Sequence, residues 1–517
     1  MKRIVYKIVL ILLVFVFAAG VPASGVSFAV ENTRGGTGAG GGVHKDTSWF
    51  DSENPKNEYT LYSEEELIGF ASLVNEEQRD KWKENRFETF ENVKIRLGRD
   101  IRLSQKWVPV GNGESRCFKG IFDGDGHTIS GLKIRSNNLQ VGFFGCLSGE
   151  VCNLTLKGRT ESLNGPCGSF AGVLYAGGSI RDCKSEAETK GLAETGGIVG
   201  YNEDGTVLRC INNGNVSGTR NVGGIAGENW GTVKKCGNNG SVKSSVRGST
   251  SFGTGGIAGR TLNPDGPVTK CFNTGNIQSH TEATGGIAGY SNAYGTEISN
   301  CYNTGSIAVY NEKLPHRAVK AYAGGIVGIA GRRGVIIKNC YNAGSINNSD
   351  WSGGIIGEYD QDLIEETNDK PNDEKYIVNN YYISTDGGKG IGQYHVGDGE
   401  YKPKDISHGT RKMSSFSLVN MASNLGSAYK YNSYGTGLAA GYPVLKWQDA
   451  SSVDSGDSGK DKLPQNAGIN ERILREGTPD EAVTVRLFNP RQHIAGKALK
   501  KEKNSQEYIK KCRKPGN

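Results

Sequence analysis

Eight residues make the best case for binding chemistry: Lys243, Arg247, Tyr310, Lys313, His316, Arg317, Lys320 and Tyr322. They lie in two short stretches of chain, the first ending beside Phe252. Cations interleaved with aromatic rings suit an anionic glycan or an acidic protein patch. The charges draw the anion in and the rings offer an apolar face. The competing reading is solvated charge on tolerated insertions.

Other constellations are weaker. Asp123-Gly124-Asp125-Gly126-His127 sets two carboxylates one residue apart, and calcium prefers several oxygen ligands. The further Asp or Asn and the later bidentate Glu of an EF-hand are missing, so a structural turn between Phe122 and Ile129 is expected. None of the seven histidines begins an H-E-x-x-H zinc motif. There is no G-x-S-x-G elbow, no phosphate-binding P-loop, and no C-x2-C pair for zinc. The expectation is therefore no catalytic residue, no metal, no cofactor and no enzymatic activity. The alternatives are a non-binding structural spacer and an enzyme acting on acidic polysaccharide. That chemistry needs a base near carboxylates or calcium on one strand face, and the repeat strands here are mostly Gly, Ile, Val, Asn and Thr.

What must position the eight residues is a repeat. A Gly-Gly-Ile-x-Gly motif begins at Gly196, Gly223, Gly255, Gly285, Gly324 and Gly353, at intervals of 27, 32, 30, 39 and 29 residues. After each of the first five comes Cys-x-Asn-x-Gly, at Cys210, Cys236, Cys271, Cys301 and Cys340. Each unit holds short β-leaning runs and none long enough for a buried helix. One such unit cannot bury its apolar side, but stacked units can. Stacking turns Ile198, Ile225, Ile257, Ile287, Ile326 and Ile355 into one inward ladder. Val207, Val233, Val268 and Ile298 form a second, and Val216, Val242, Ile277, Ile307 and Ile346 a third. The fold class expected is all-β, a right-handed parallel β-helix solenoid with an N-terminal capping helix.

Other repeat positions are read as structural. The second glycines of the pairs are Gly197, Gly224, Gly256, Gly286, Gly325 and Gly354. Asn212, Asn238, Asn273, Asn303 and Asn342 are expected to stack and bond backbone groups at a bend, with a ligand-binding row as the alternative. Gly214, Gly240, Gly275, Gly305 and Gly344 are expected to take positive φ there. The repeat cysteines, with Cys183, are read as small buried hydrophobes, since residues stacked in register point the same way and suit bridges poorly. Cys117, Cys146, Cys152 and Cys167 are less regular and leave room for one bridge.

The repeat also places the binding candidates. Most coils leave 7 or 8 residues between the Cys-x-Asn signature and the next Gly pair, but Val242 to Gly255 spans 13 and Ile307 to Gly324 spans 17. Insertions at one turn map to one face of a solenoid, often the binding face. A basic, aromatic ridge is expected there. The acidic insertion from Glu358 to Lys375 falls at another turn.

On the motifs G-G-I-[VA]-G and G-T-V-x-x-C-x-N-x-G-x-V, the chain resembles the GLUG-motif family of bacterial surface proteins. It is also similar to the non-catalytic N-terminal region of IgA-specific metallopeptidases. Phe118 to Leu132, Val141 to Gly145 and Gly441 to Trp447 look like opening and closing segments of such proteins. The resemblance implies a parallel β-helix, export and a surface role, and no activity, because the repeats are scaffold.

The rest of the chain frames this domain. Residues 1–29 read as a signal peptide, with Lys2, Arg3 and Lys7 before an apolar run and small residues after it; an uncleaved anchor is the alternative. No transmembrane helix is expected after cleavage. A Gly-rich spacer (30–58), the β-helix (59–447, clearest at 196–357), a polar linker (448–464) and a basic tail (465–517) follow. Ser63 to Glu66 reads as a capping box, with Leu67, Phe70, Ala71 and Val74 on one helical face. Leu463 to Gly468 loosely resembles a sortase signal but lacks its Thr and a following apolar stretch. The net charge of +7 comes from the two ends, since residues 30–464 hold 46 Lys and Arg against 48 Asp and Glu. That balance speaks against a nucleic-acid partner. The expected setting is extracellular, secreted or cell-surface associated. The expected partner is a host or cell-wall glycan or a surface protein.

Overall fold

In a computed structural model the chain folds as a parallel β-helix solenoid. The structure describes residues 44–75, 89–245 (without 112, 114 and 115), 252–310 (without 293 and 294), 320–361 (without 332–334), 376–383, 388–396, 409–414, 420–432 and 441–448. By its contacts the chain divides into Met1–Val453 and Asp454–Asn517, and every described residue belongs to the first unit. The expected signal peptide, the linker beyond Gln448 and the tail, Leu463 to Gly468 included, lie outside the described residues.

One coil shows the plan. It runs through β1 (Val199–Asn202), β2 (Thr206–Leu208), β3 (Ile211–Asn212), β4 (Val216–Gly218) and β5 (Arg220–Gly223), then bends at the Gly pair into the next β1-type strand. Each strand pairs in parallel with its counterpart one coil away, as Val207 does with Val233 and Val216 with Val242. The β1-type strands form a 9-stranded sheet, the β2-type an 11-stranded sheet and the β5-type a 6-stranded sheet. The β3- and β4-types share a 16-stranded sheet because earlier coils use one unbroken strand there. Lys184–Lys190 pairs with both β3 and β4.

The three predicted ladders are all buried, but they do not share one core. The Ile198 and Val207 ladders pack with Cys183, Cys210, Cys236, Cys271, Cys301 and Cys340 in the main core. The Val216 ladder fills a separate, narrower seam between the β4- and β5-type strands, with Val222 and Ala323. Hydroxyls share that seam. Thr254 Oγ1 bonds Ser244 Oγ at 2.9 Å and Thr281 Oγ1 at 2.8 Å, and Thr284 Oγ1 donates to Ser279 Oγ at 2.8 Å.

The asparagine column behaves as expected. Nδ2 of Asn212 donates to Oδ1 of Asn238 and to the carbonyl of Gly214, both at 2.8 Å, and the pattern recurs through Asn238, Asn273, Asn303 and Asn342. The second glycine of each of the first five pairs packs on this column, while Gly354 packs on Tyr382, which succeeds Asn342 in the register. A Cβ at Gly197 would lie 2.2 Å from the Gly224 carbonyl oxygen and 2.4 Å from the Asn212 amide carbon.

One expectation is corrected. Gly214, Gly240, Gly275, Gly305 and Gly344 do not take positive φ. They are glycine for lack of space, since a Cβ at Gly240 would sit 1.9 Å from the Gly214 oxygen. Left-handed backbone falls instead on the residue before each cysteine: Asp182, Arg209, Lys235, Lys270, Asn300 and Asn339, with φ between 52° and 56°.

The cysteines divide as the spacing suggested. Cys117 and Cys146, on adjacent coils, form a disulfide with Cα atoms 4.6 Å apart, while Cys152, Cys167 and the repeat cysteines are buried free thiols. The Cys210 thiol lies 3.4 Å from the carbonyls of Ile180 and Leu208, so it is both packed and satisfied. Burial pushes the Cys301 and Cys340 thiols well above the usual range.

α1 (Glu64–Asn75) covers the first coils. Glu66 N–H donates to Ser63 Oγ and Ser63 N–H to Glu66 Oε2, both at 3.1 Å, which closes the capping box. Leu67, Phe70, Ala71 and Val74 are buried, and the Phe70 ring centre is 5.4 Å from that of Phe118. The segment from Gly441 lies along the side of the solenoid. Val444–Leu445 pairs antiparallel with Tyr429–Lys430 over a stacked column of Phe272, Tyr302 and Tyr341. Trp447 Nε1 donates to the Lys270 carbonyl at 2.8 Å.

Candidate functional site

The lengthened turns sit where β4-type strands pass into β5-type strands, so their roots share one corner of the solenoid. Ser217, Lys243, Gln278, Ala308 and Asn347 are register neighbours on the β4 side. On the β5 side Gly253, Ala283, Tyr322 and Trp351 succeed one another. Lys243 and Lys320 are exposed, and Tyr310 keeps 43% of its surface. Tyr322 belongs to the interior instead. It is 7% exposed and packs with Ala283, Ile329 and Tyr290, and burial, then the neighbouring Glu358, raises its hydroxyl pKa. A residue two positions from the Gly pair is already in the β5-type strand, which explains the difference. Arg247, Lys313, His316 and Arg317 lie outside the described residues.

Three side chains that sequence reasoning left out complete the corner. Trp351 opens the next β5-type strand, is 38% exposed, and carries Lys320 Nζ 6.0 Å from its ring centre. His280 follows a β4-type strand and stacks on Tyr310 with ring centres 5.3 Å apart. Its Nδ1 donates to the Ser244 carbonyl at 2.9 Å, which fixes the ring. Arg220 places its guanidinium 5.5 Å from the Phe252 ring centre. In each pair the ring comes from the coil after its partner. All three belong to turns or strand ends without an unusual local motif, so only the stacking reveals them. The buried hydroxyl seam lies beneath this corner, since Ser244, Ser279 and Thr281 immediately flank the turns.

Beside the corner, β5-type strands pack against β1-type strands. Glu228 keeps 13% of its side-chain surface and Arg260 25%. Glu228 accepts from Asn221 Nδ2 at 2.9 Å and Trp230 Nε1 at 2.7 Å, and Arg260 Nη1 is 3.9 Å away. Burial, helped by the nearby charge of Glu194, raises the Glu228 carboxyl pKa. Arg260 also lies over Tyr290, 5.5 Å from the ring centre. This is a packed polar contact, with both Glu228 oxygens engaged.

The Asp123 turn is equally engaged. Asp123 binds Lys94 Nζ at 2.9 Å and accepts from Asn153 Nδ2 and Asp125 N–H, both at 3.0 Å. Burial raises the carboxyl pKa, but these partners outweigh it and hold the group at about 2. Asp125 pairs with Arg96, and His127 lies 3.1 Å from Asp100. Among the described residues no cluster of three or more His, Cys, Asp or Glu side chains is placed to hold a metal ion.

No family model matches the chain. A stretch of 135 residues is 33% identical to halomucin from Haloquadratum walsbyi; it covers 23% of this chain and 2% of halomucin's length. Among solved structures, a Bacteroides ovatus protein, provisionally assigned as an immunoglobulin A1 protease, matches at 16% identity and a TM-score of 0.40. The match covers 76% of this chain and 93% of that one. Among the described residues no helix is long and apolar enough to cross a membrane.

Proposed function

We propose that the chain is a secreted or cell-surface binding scaffold that holds a ligand at the β4–β5 corner. The observation that carries this reading is the convergence there of two lengthened turns with exposed Lys243, Tyr310, Lys320 and Trp351. A solenoid whose coils otherwise vary little gains chemistry where its turns differ. The described side chains of the corner are cations beside rings, which supports a binding role. The polar contact at Glu228 is closed by Asn221, Trp230 and Arg260, which speaks against its use as a catalytic acid. The GLUG-like repeats and the signal-like N-terminus support export in the same way they did from sequence alone.

The test presents the mature chain to arrays of acidic and neutral glycans and of acidic proteins, following retention and ligand integrity together. Saturable retention of an intact ligand, lost when residues 311–319 are deleted, is the expected result. Unchanged retention after that deletion would move the site elsewhere. Shortened or cleaved ligand would make the protein an enzyme, and no retention at all would leave it a spacer.

A further inference from the structure

The described part of the corner is an array rather than a patch. Its three ring-centred pairs are Arg220 with Phe252, His280 with Tyr310, and Lys320 with Trp351. The β5-type strands run in the order Arg220, Gly253, Ala283, Tyr322 and Trp351 along the solenoid. Phe252 precedes the second of these. Tyr310 N–H donates to the Ser279 carbonyl at 2.8 Å, which places it one coil beyond His280, in the coil of Tyr322. The rings of Phe252, Tyr310 and Trp351 therefore come from coils two and then one strand spacing apart. These steps are roughly 10 Å and 5 Å, parallel to the solenoid axis.

An axial line of rings fits an extended ligand better than a compact one. Each ring can carry one flat apolar face, and a chain polymer presents such faces at intervals. Charges of both signs stand at the corner, since Glu282 and Asp350 lie near Tyr322 beside the cations. Arg220, Lys243 and Lys320 are all exposed along the same line. The carboxylate of Asp350 accepts the Ala321 N–H at 2.9 Å and is tied to the backbone there. Aromatic faces with cations beside them suit a sugar ring bearing a carboxylate or sulfate. An acidic protein surface would use the cations but has no regular succession of faces for the rings.

We propose that the corner binds a linear acidic polysaccharide lying along the solenoid axis, across the coils from Phe252 to Trp351. This rests on the corner being the binding site, as proposed above. An affinity that depends on both charge and ligand length follows.

The experiment uses the full mature chain and size-defined oligomers of polygalacturonate, with carboxyl-reduced oligomers of equal length as the neutral control. Affinity should rise with length and level off once the oligomer spans the three rings. Carboxyl reduction should weaken binding by roughly tenfold or more, and Trp351→Ala or Tyr310→Ala should each cost several-fold to about tenfold, as loss of a ring contact does. Circular dichroism of each variant shows that the solenoid is intact, and Val378→Ala, at an exposed site on a β2-type strand away from the corner, should leave binding unchanged. Equal affinity for charged and reduced oligomers, or affinity independent of length, would overturn the proposal. Retention of acidic proteins alone would overturn it while leaving the corner as a binding site. Retention of no ligand by any route would overturn both readings.

Discussion

The two interior seams of the solenoid are built from different materials. The main core, enclosed by β1-, β2- and β3-type strands, is filled with Ile, Val and Cys through the repeat coils and with Phe and Leu in the coils before them. The β4–β5 seam is narrower and mixes Val and Ile with Ser244, Ser279, Thr254, Thr281 and Thr284, all buried and mutually hydrogen-bonded. The difference follows from width. A wide core needs branched side chains to fill it. A narrow seam leaves room for short ones, and a hydroxyl fits where an extra methylene does not, provided it finds a partner. The main core should therefore lose stability through cavities, and the seam through orphaned hydrogen bonds.

The sharpest break is Ile287→Ala in the main core. The side chain is fully buried and its backbone is tied to Ile257 and Ile326 on either side. Removing it leaves a cavity that two neighbouring coils hold open, at a cost of about 3–5 kcal/mol. Denaturant unfolding measures this. A loss below about 1 kcal/mol would mean that the coils collapse onto the gap.

Asn273→Ala comes next, at the boundary between the two seams. It removes the bonds to Asn303 and Gly275 and leaves Asn238 Nδ2 with the Gly240 carbonyl alone. Orphaning buried groups of this kind should cost about 2–3 kcal/mol. Asn273→Ser, too short to reach the neighbouring coil, should recover little. Thr254→Val tests the narrow seam itself, keeping the shape while removing the hydroxyl that Ser244 and Thr281 share. About 1–2 kcal/mol should go. If the valine variant is as stable as the parent, the hydroxyl network is incidental to the seam.

Glu228 shows whether a polar interface here also tolerates charge. Burial raises its pKa in the folded chain. Folding then favours the protonated acid, so this group's contribution is most favourable below its unfolded pKa. That contribution is lost as pH rises through the folded value. Glu228→Gln should therefore stabilise the chain at neutral pH, and the gain should vanish in acid below the ordinary carboxylate range. Thermal unfolding of both chains across that window decides it, and a pH-independent difference would show that the ion pair with Arg260 dominates.

How much of this could be read beforehand depended on whether a position kept one residue type. Ile198 and its successors, Asn212 and its successors, and Cys210 and its successors each repeat a chemistry because each meets the same surroundings in every coil. The capping box at Ser63 was legible for a similar reason, since its partners are local. The separation of the Val216 ladder into its own seam was not, because valine looks the same in either. Tyr322 reads as a loop residue until the strand boundary is known. Trp351, His280 and Arg220 escaped because each sits in or beside a turn of ordinary length. The position covered by the segment from Gly441 also carries a sequence signal. The residue between Cys and Asn is Ile211 and then Gly237 in early coils but Phe272, Tyr302 and Tyr341 in later ones, where the C-terminal segment covers it.

The left-handed bend before each cysteine was hidden most completely, because its residue changes from coil to coil. Asp182, Arg209, Lys235, Lys270, Asn300 and Asn339 share nothing but φ near 54°. The Asn and Asp members adopt this region with little penalty, whereas Arg209, Lys235 and Lys270 carry a Cβ that the conformation disfavours. Neighbouring coils impose the bend: Lys270 N–H donates to the Ser299 carbonyl at 2.9 Å whatever its side chain prefers. Lys270→Gly should relieve that strain and stabilise the chain by about 0.5–1 kcal/mol, the smallest effect here, partly offset by the looser unfolded chain that glycine allows. Asn300→Gly should change little, since asparagine already tolerates the bend. Equal effects at the two positions would mean that the coil, and not the residue, absorbs the strain.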